Sequence, residues 1–364
     1  MRIALLTYST RPRGGVVHTL ALAEALVGLP EAPEVDVWTL GRDGDETFFR
    51  PVDPRVGVRA VPFPGIDGED VGDRIVRSIA VLRTAFEAER HRYDVVHAQD
   101  CISANAALPC IRTIHHLDQF TTPALVACHE RAVVEPIARI CVSAAVASEV
   151  EEGWGLHPAV IPNGVDAARF QAGAEDVERQ GAWRDEVGGR YVLALGGIEP
   201  RKGSIDLLEA HAALVREHRD LADVRLVFGG GETLFDYRDY RREFDERAIA
   251  LGTSPVVLGP VVDELVPSLV AGAAALGFVS TKEGFGLAAM EALAAGVPVV
   301  ARDLPVLREV FGDAVHYAHD VSGMVRGLRE LLTDPPHPAR GRELARGYRW
   351  ADVARAHLAF YARV

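Results

Sequence analysis

Glu283 and Glu291 stand with seven residues between them in Ser280-Thr-Lys-Glu-Gly-Phe-Gly-Leu-Ala-Ala-Met-Glu291, which runs on into Ala-Leu-Ala-Ala-Gly-Val-Pro298. Residues 273–279 and 297–301, on either side, are apolar runs that read as buried strands. Between them Leu287, Met290, Leu293 and Ala294 sit among good helix formers, and Gly296 with Pro298 supplies the stop. Glu283 therefore falls in a strand-to-helix turn, where Gly284 and Gly286 let the backbone pass close to a ligand. Bare amides at 286–288 behind that turn favour an anion, phosphate above all. Glu291 lies about one turn further in, on the face of Leu287, where a carboxylate can accept hydrogen bonds from a sugar hydroxyl. The chemistry outlined is that of a nucleotide-sugar site. Taken singly, Glu283 also reads as a helix cap and Glu291 as a solvated surface residue.

Taken together, Glu, seven residues, Glu, with Gly-Phe-Gly inside and Ala-Ala-Gly-Val-Pro after, is far more specific. It resembles the signature of the family 4 retaining glycosyltransferases. The resemblance implies the α/β fold called GT-B, two Rossmann-like, doubly wound parallel-sheet domains facing a cleft. It also implies that Gly284, Phe285, Gly286, Leu287 and Glu291 bind the donor, with Glu291 at the ribose hydroxyls and Glu283 at those of the transferred sugar.

A second cradle reads Tyr191-Val-Leu-Ala-Leu-Gly196-Gly197-Ile-Glu-Pro-Arg201-Lys202-Gly203-Ser204. Strand, glycine turn, cation and helix start follow one another, with Ser204 the expected N-cap. Among 39 basic residues only Lys202 and Lys282 are lysines, and both lie inside these two motifs, where a compact ammonium suits. Lys202 matches the family's lysine, whereas Gly197 stands where the family carries arginine, and Arg201 is expected to supply that charge from the other side of the loop. The variant loop resembles that of a bacterial subfamily of unassigned substrate. Gly229-Gly-Gly231 reads as a plain turn. A helix is expected near 236–251, and the resemblance implies that Val261 packs against the donor base.

In the first half, strands near 2–8, 34–40, 56–62, 93–98, 110–115, 138–142 and 158–162 alternate with helical stretches, the pattern of a doubly wound sheet. The Gly14-Gly15 turn after the first strand is not GxGxxG, which argues against a nicotinamide cofactor. The resemblance brings Gly15 to the donor phosphate. Residues 70–91 predict a crossover helix with a solvated arginine face, a membrane-surface helix being the alternative. His97 and His115 end apolar strands, at the edge where site residues gather. The resemblance favours His115, near the donor sugar, as a catalytic residue beside Lys202 and Glu283, and strand alternation points His116 elsewhere. Ile-Pro-Asn163-Gly-Val-Asp166, with Phe170 after it, resembles the family's exit from its first domain. The acidic, aperiodic stretch 168–188 marks a boundary. The expected domains are 1–168 on the acceptor side and 169–345 on the donor side, with a C-terminal helix in 346–364 crossing back.

A chain of 364 residues holds two cores. A net charge of −13 argues against nucleic-acid binding and disfavours anionic lipid, leaving at most peripheral membrane contact. No run of eighteen apolar residues and no signal peptide is seen, so a cytoplasmic location is expected. Cys101, Cys110, Cys128 and Cys141 lack CxxC spacing and read as reduced core residues. No Asp-x-Asp stands beside a strand end in a metal-binding arrangement, so neither a divalent metal nor a cofactor is expected.

The expected partners are a nucleotide-diphosphate sugar and an acceptor (a sugar, a lipid-linked sugar or a small molecule). Departure of the diphosphate would be stabilised by the helix amides and by Lys202, with Arg201 assisting. Glu283 and Glu291 follow the same turn and do not flank the scissile bond as paired glycosidase carboxylates do. A same-face displacement, the leaving phosphate accepting the acceptor's proton, fits better than a covalent intermediate. A non-catalytic nucleotide-sugar binder and a GT-B sugar-nucleotide epimerase are the alternatives, and a dehydrogenase lacks its fingerprint.

Overall fold

The computed structural model describes residues 1–42, 44–117, 123–231 and 237–364. The chain divides into two compact units, residues 1–164 with 350–364, and residues 165–349.

In the first unit the strands are β1 (Arg2–Leu6), β2 (Glu34–Arg42), β3 (Gly57–Phe63), β4 (Val95–Ala98), β5 (Ile111–Ile114), β6 (Ala138–Cys141) and β7 (Ala159–Val160). They form one sheet in the order β3-β2-β1-β4-β5-β6-β7, and every pairing is parallel. Leu5 lies opposite Val37 on one side and His97 on the other. The order reverses at β1 and β4, the switch point where a doubly wound sheet opens a crevice at its carboxyl edge. The expected strand at 158–162 shrinks to two residues at the sheet's edge.

The expected crossover helix runs Val71–Glu89, capped by Asp70 accepting from the Gly72 amide at 2.7 Å. It buries Ile75, Ser78, Leu82 and Phe86. Leu82 packs with Leu40 and Phe63 of the sheet, so this helix belongs to the core. Residues 350–361 form the last helix, whose Val353, Ala354, Phe360 and Tyr361 join the core of the first unit with Leu20, Leu22 and Leu26.

The second unit holds β8 (Tyr191–Leu195), β9 (Arg225–Gly229), β10 (Val256–Gly259), β11 (Ala275–Phe278), β12 (Val299–Arg302) and β13 (His316–Ala318). Their order is β10-β9-β8-β11-β12-β13, again all parallel, with the switch at β8 and β11. The stretch 168–188, which reads as aperiodic, instead forms two helices, Ala167–Glu175 and Val177–Val187. Asp166 and Asp176 cap them by accepting from the amides three residues on, at 3.0 and 3.1 Å. Their few apolar contacts (Phe170, Gly173, Gln180 and Val187 are the buried positions) explain why no periodic stripe marks them. Residue 236, where a helix was expected to begin, lies outside the described residues; that helix runs Arg238–Ala250.

Among the described residues no helix is long and apolar enough to cross a membrane. All four cysteines are free thiols, and three of them are buried.

Candidate functional site

In the second unit, two loops leave the carboxyl ends of the neighbouring strands β8 and β11. The first carries Gly196 to Gly203 and the second Ser280 to Gly286. Backbone ties them together: the Thr281 amide donates to Arg201 O at 2.8 Å, and the Thr281 hydroxyl donates to the same oxygen at 3.2 Å. Pro200–Lys202 forms one 3₁₀ turn that ends on Gly203, at φ +64°. Gly203 is the N-cap of the helix Ser204–Glu217, so Ser204, expected as the cap, is instead its first residue. Only glycine suits that position: a Cβ would stand 2.5 Å from Val279 O, and the backbone is left-handed. Gly203→Ala is expected to destabilise the protein by about 3 kcal/mol. A denaturant melt would show it, and an unchanged midpoint would mean that the two loops are free to separate.

Gly230, in the loop read as a plain turn, has a similar constraint. A Cβ there would lie 2.3 Å from the carbonyl carbon of Gly196. The triple glycine is therefore a close approach between two loop backbones, which composition alone does not distinguish from a flexible turn.

The side chains that converge here are Glu283, Lys202 and Arg201. Lys202 Nζ donates to Glu283 Oε1 at 2.8 Å and Arg201 Nη1 to the same oxygen at 3.3 Å. Arg201 also donates to Lys282 O at 3.2 Å and to Glu199 Oε1 at 3.2 Å. Burial alone would raise the Glu283 carboxyl, but the charges of Lys202 and Arg201 outweigh it and hold its pKa down to about 2. Glu283 is ionised at any working pH and keeps both cations in one place. Glu199, 5% exposed, is the part of this arrangement that the sequence reading missed. Its signal was an acidic residue two positions before the cation pair.

Gly286, at φ +99°, caps the helix Leu287–Ala295, and among the described residues no side-chain cap hydrogen bond is made there. The first amides of this helix face the same turn as Glu283, so a partial positive charge and two cations share one strand edge. Phe285, expected to bind donor, turns its ring inward: it is 2% exposed and packs edge-on to Tyr348 at 5.3 Å. This position offers a ligand its backbone and not its ring. Val261 lies over the end of β9, its Cγ2 3.6 Å from where a Gly229 Cβ would be. Half-buried Glu291 sits in the second turn of its helix, with its carboxyl raised to about 8. Burial is the cause; the Arg169 charge opposes it and Asp263 adds to it. Arg169 is itself paired with Asp263 at 2.8 Å, and its charge only partly offsets the burial of Glu291. Neither of those two residues was singled out in the sequence.

In the first unit, Gly15 is the second residue of the helix Gly14–Val27 and lies against His115, whose Cδ2 is 3.7 Å from a Gly15 Cβ position. The two residues named from the first half thus sit together. His115 Nε2 is 3.3 Å from Gln99 Oε1, an acceptor, so that nitrogen carries the hydrogen. Burial, followed by electrostatic interaction with the His18 imidazole and with the charged Arg112, holds His115 well below its usual pKa, and it is neutral. His18, one turn after Gly15, is edge-on to His115 at 4.7 Å and bonds Asn163 Oδ1 at 2.8 Å. His357 and Tyr361 of the last helix meet His18 and His97, with the Tyr361 hydroxyl 2.7 Å from His97 Nδ1. Burial lowers His18 to about 3 and His357 to about 4, so this group is an uncharged hydrogen-bonded core. Among the described residues, no three His, Cys, Asp or Glu side chains are grouped as metal ligands.

Comparison with known proteins gives two family matches. Residues 12–169 match the model described as Glycosyltransferase Family 4, and residues 179–348 match Glycosyl transferases group 1. A D-inositol 3-phosphate glycosyltransferase of Mycolicibacterium smegmatis is 29% identical, covering 100% of this chain and 91% of its own length. One of the same name from Geodermatophilus obscurus is 29% identical over 90% of this chain and 80% of its own. Among solved structures, sucrose-phosphate synthase of Thermosynechococcus elongatus superposes with a TM-score of 0.78 at 18% identity, covering 100% of this chain and 98% of that one. Anabaena HepE, solved in complex with UDP and glucose, gives 0.75 at 18% identity, covering 100% and 99%.

Proposed function

We propose that this chain, whose GT-B fold carries a match to a family 4 model in its first half and to a group 1 model in its second, is a glycosyltransferase that moves a sugar from a nucleotide-diphosphate sugar to an acceptor hydroxyl, with retention and without a metal. One observation carries this reading. Lys202, Arg201 and an uncapped helix N-terminus converge at the switch point of a parallel sheet, where a diphosphate's developing charge needs them.

Glu283 holds the two cations and presents its remaining lone pairs to hydroxyls of the sugar. A carboxylate held near pKa 2 by two cations is a weak nucleophile, which supports a same-face displacement over a glycosyl-enzyme. The leaving phosphate takes the proton of the acceptor hydroxyl as that oxygen bonds the anomeric carbon. Glu291 holds the ribose hydroxyls. Lys202 and Arg201 neutralise the diphosphate in the role a metal ion plays elsewhere. His115, neutral and with Nε2–H directed at Gln99, is suited to hydrogen bonding at the sugar and not to charge stabilisation.

A thermal melt against UDP, GDP, ADP and dTDP, then against their sugars, with and without magnesium, tests the donor. Ligand at ~100 times its Kd adds about 2.7 kcal/mol, a shift of several degrees. The expected result is one base preferred, an increment from its sugar, and no dependence on magnesium. The anomeric configuration of the product, read by NMR, tests retention. No shift with any nucleotide would overturn the assignment of this site.

A further inference from the structure

Tyr8 lies two residues past β1, and Arg42 and Phe63 are the last residues of β2 and β3, so all three stand at the carboxyl edge of the first unit's sheet. Arg13, the residue before the helix Gly14–Val27, reaches the same place. The Arg13 and Arg42 guanidinium carbons lie 5.8 and 5.7 Å from the centroid of the Tyr8 ring, and Arg42 is also 5.5 Å from that of Phe63. Arg11 and Arg74 add positive charge within electrostatic range of Arg42.

Like charges gathered and half-buried in this way are unfavourable unless something compensates them. Among the described residues, three carboxylates of this region are engaged elsewhere. Glu69 is held in a two-bond pair by Arg77, at 2.6 and 2.7 Å. Asp100 accepts from the amides of Tyr8 and Ser103, at 2.9 and 2.8 Å. Asp45 accepts from the Thr47 amide and hydroxyl, at 3.3 and 3.1 Å. Among the described residues, Arg13 Nε and Arg42 Nε and Nη2 are buried with no hydrogen-bond partner. The helix that Arg13 precedes has no side-chain cap at its N-terminus. Burial lowers the Arg42 pKa, Tyr8 opposes that, and the charges of Arg74, Arg13 and Arg11 lower it further, the signature of a cation cluster awaiting an anion.

We infer that Arg13 and Arg42, around Tyr8, bind the phosphate of a phosphorylated acceptor in the first unit. Planar guanidinium forks match the oxygens of a phosphomonoester, and a dianion suits several positive charges better than a carboxylate does. The Tyr8 ring backs both guanidiniums. The inference rests on the glycosyl-transfer reading for the word acceptor, but not for the anion site itself.

The test is titration of the whole protein with inorganic phosphate and with glucose 6-phosphate, at constant ionic strength, followed by thermal melt. Saturable stabilisation of the wild type is expected. Arg42→Gln and Arg13→Gln should each weaken it at least about tenfold, the loss of one charge-assisted hydrogen bond. Arg42→Lys, which keeps the charge, serves where the glutamine variant does not fold, and it should fall between the two. UDP titrated into Arg42→Gln should bind as it does to the wild type, since Lys202, Arg201 and Glu291, proposed to hold it, lie in the other unit. Absence of UDP binding to the wild type, with the phosphate effect present, would overturn the donor reading and leave the anion site standing. Absence of a phosphate effect on the wild type, or an effect that survives both substitutions, overturns this inference. Sedimentation with vesicles containing phosphatidic acid, a lipid phosphomonoester, identifies the source. Arginine-dependent vesicle binding assigns the phosphate to a lipid headgroup, and binding of the soluble ester alone assigns it to a free metabolite.

Discussion

Lys202→Ala is expected to lower kcat by at least ~100-fold, the usual loss when one partner of a transition-state charge is removed. The geometry adds a reason beyond the missing ammonium. Lys202 Nζ stands 2.8 Å from Glu283 Oε1, and Arg201 is the remaining cation at 3.3 Å. Without the lysine, Glu283 keeps one of its two positive neighbours, and its uncompensated charge acts against the departing diphosphate. Release of the nucleoside diphosphate from the preferred donor, followed by a coupled assay, measures the effect. Activity within about threefold of wild type would remove Lys202 from the mechanism. Arg201→Ala provides the contrast, since Arg201 also serves Glu199 and the Lys282 carbonyl. A loss there without a loss at Lys202 would exchange their roles.

Affinity for the donor is expected to rise with pH, by up to about tenfold per pH unit between pH 6 and 8. The sign follows from Glu291. Its carboxyl is raised to about 8, so in the free protein it is protonated over that interval. A carboxylate is the better acceptor for two ribose hydroxyls, so binding has to displace the proton, at a cost that shrinks as pH approaches 8. A nucleotide-diphosphate sugar, whose two phosphates each carry one ester and one anhydride bond, is the right probe, because those phosphates do not titrate there. Glu291→Gln should remove the slope and lower affinity about tenfold at pH 8, as a charge-assisted bond becomes a neutral one. Calorimetry at four pH values would decide it. A slope unchanged in the glutamine variant would place the proton elsewhere.

Most of the second unit's site was legible because its signals are local. A strand, a glycine turn and a helix start within a dozen residues specify where Glu283, Gly286 and Glu291 stand relative to one another, since rise per residue and turn geometry leave little freedom. The alternation of strand and helix carried the parallel sheets in the same way. Local signals also misled where two backbone requirements competed: Ser204 has the right chemistry for an N-cap, but the backbone needs a left-handed residue one position earlier, and Gly203 takes the cap. Phe285 lies inside the motif, yet its ring belongs to the core.

By itself, then, the sequence determined the class of the fold, the two phosphate-favouring loops and the carboxylates beside them. Each depends on contacts between residues close in the chain. The meeting of Lys202 and Arg201 on one oxygen of Glu283, 81 and 82 residues further on, came from the folded chain alone. The same holds for Glu291, raised by its burial, and for Tyr8, Arg13 and Arg42, which gather from the loop after β1 and the end of β2 at one sheet edge. Charges and pKa values depend on burial and on neighbours distant in sequence, and those follow from strand order, which periodicity does not encode.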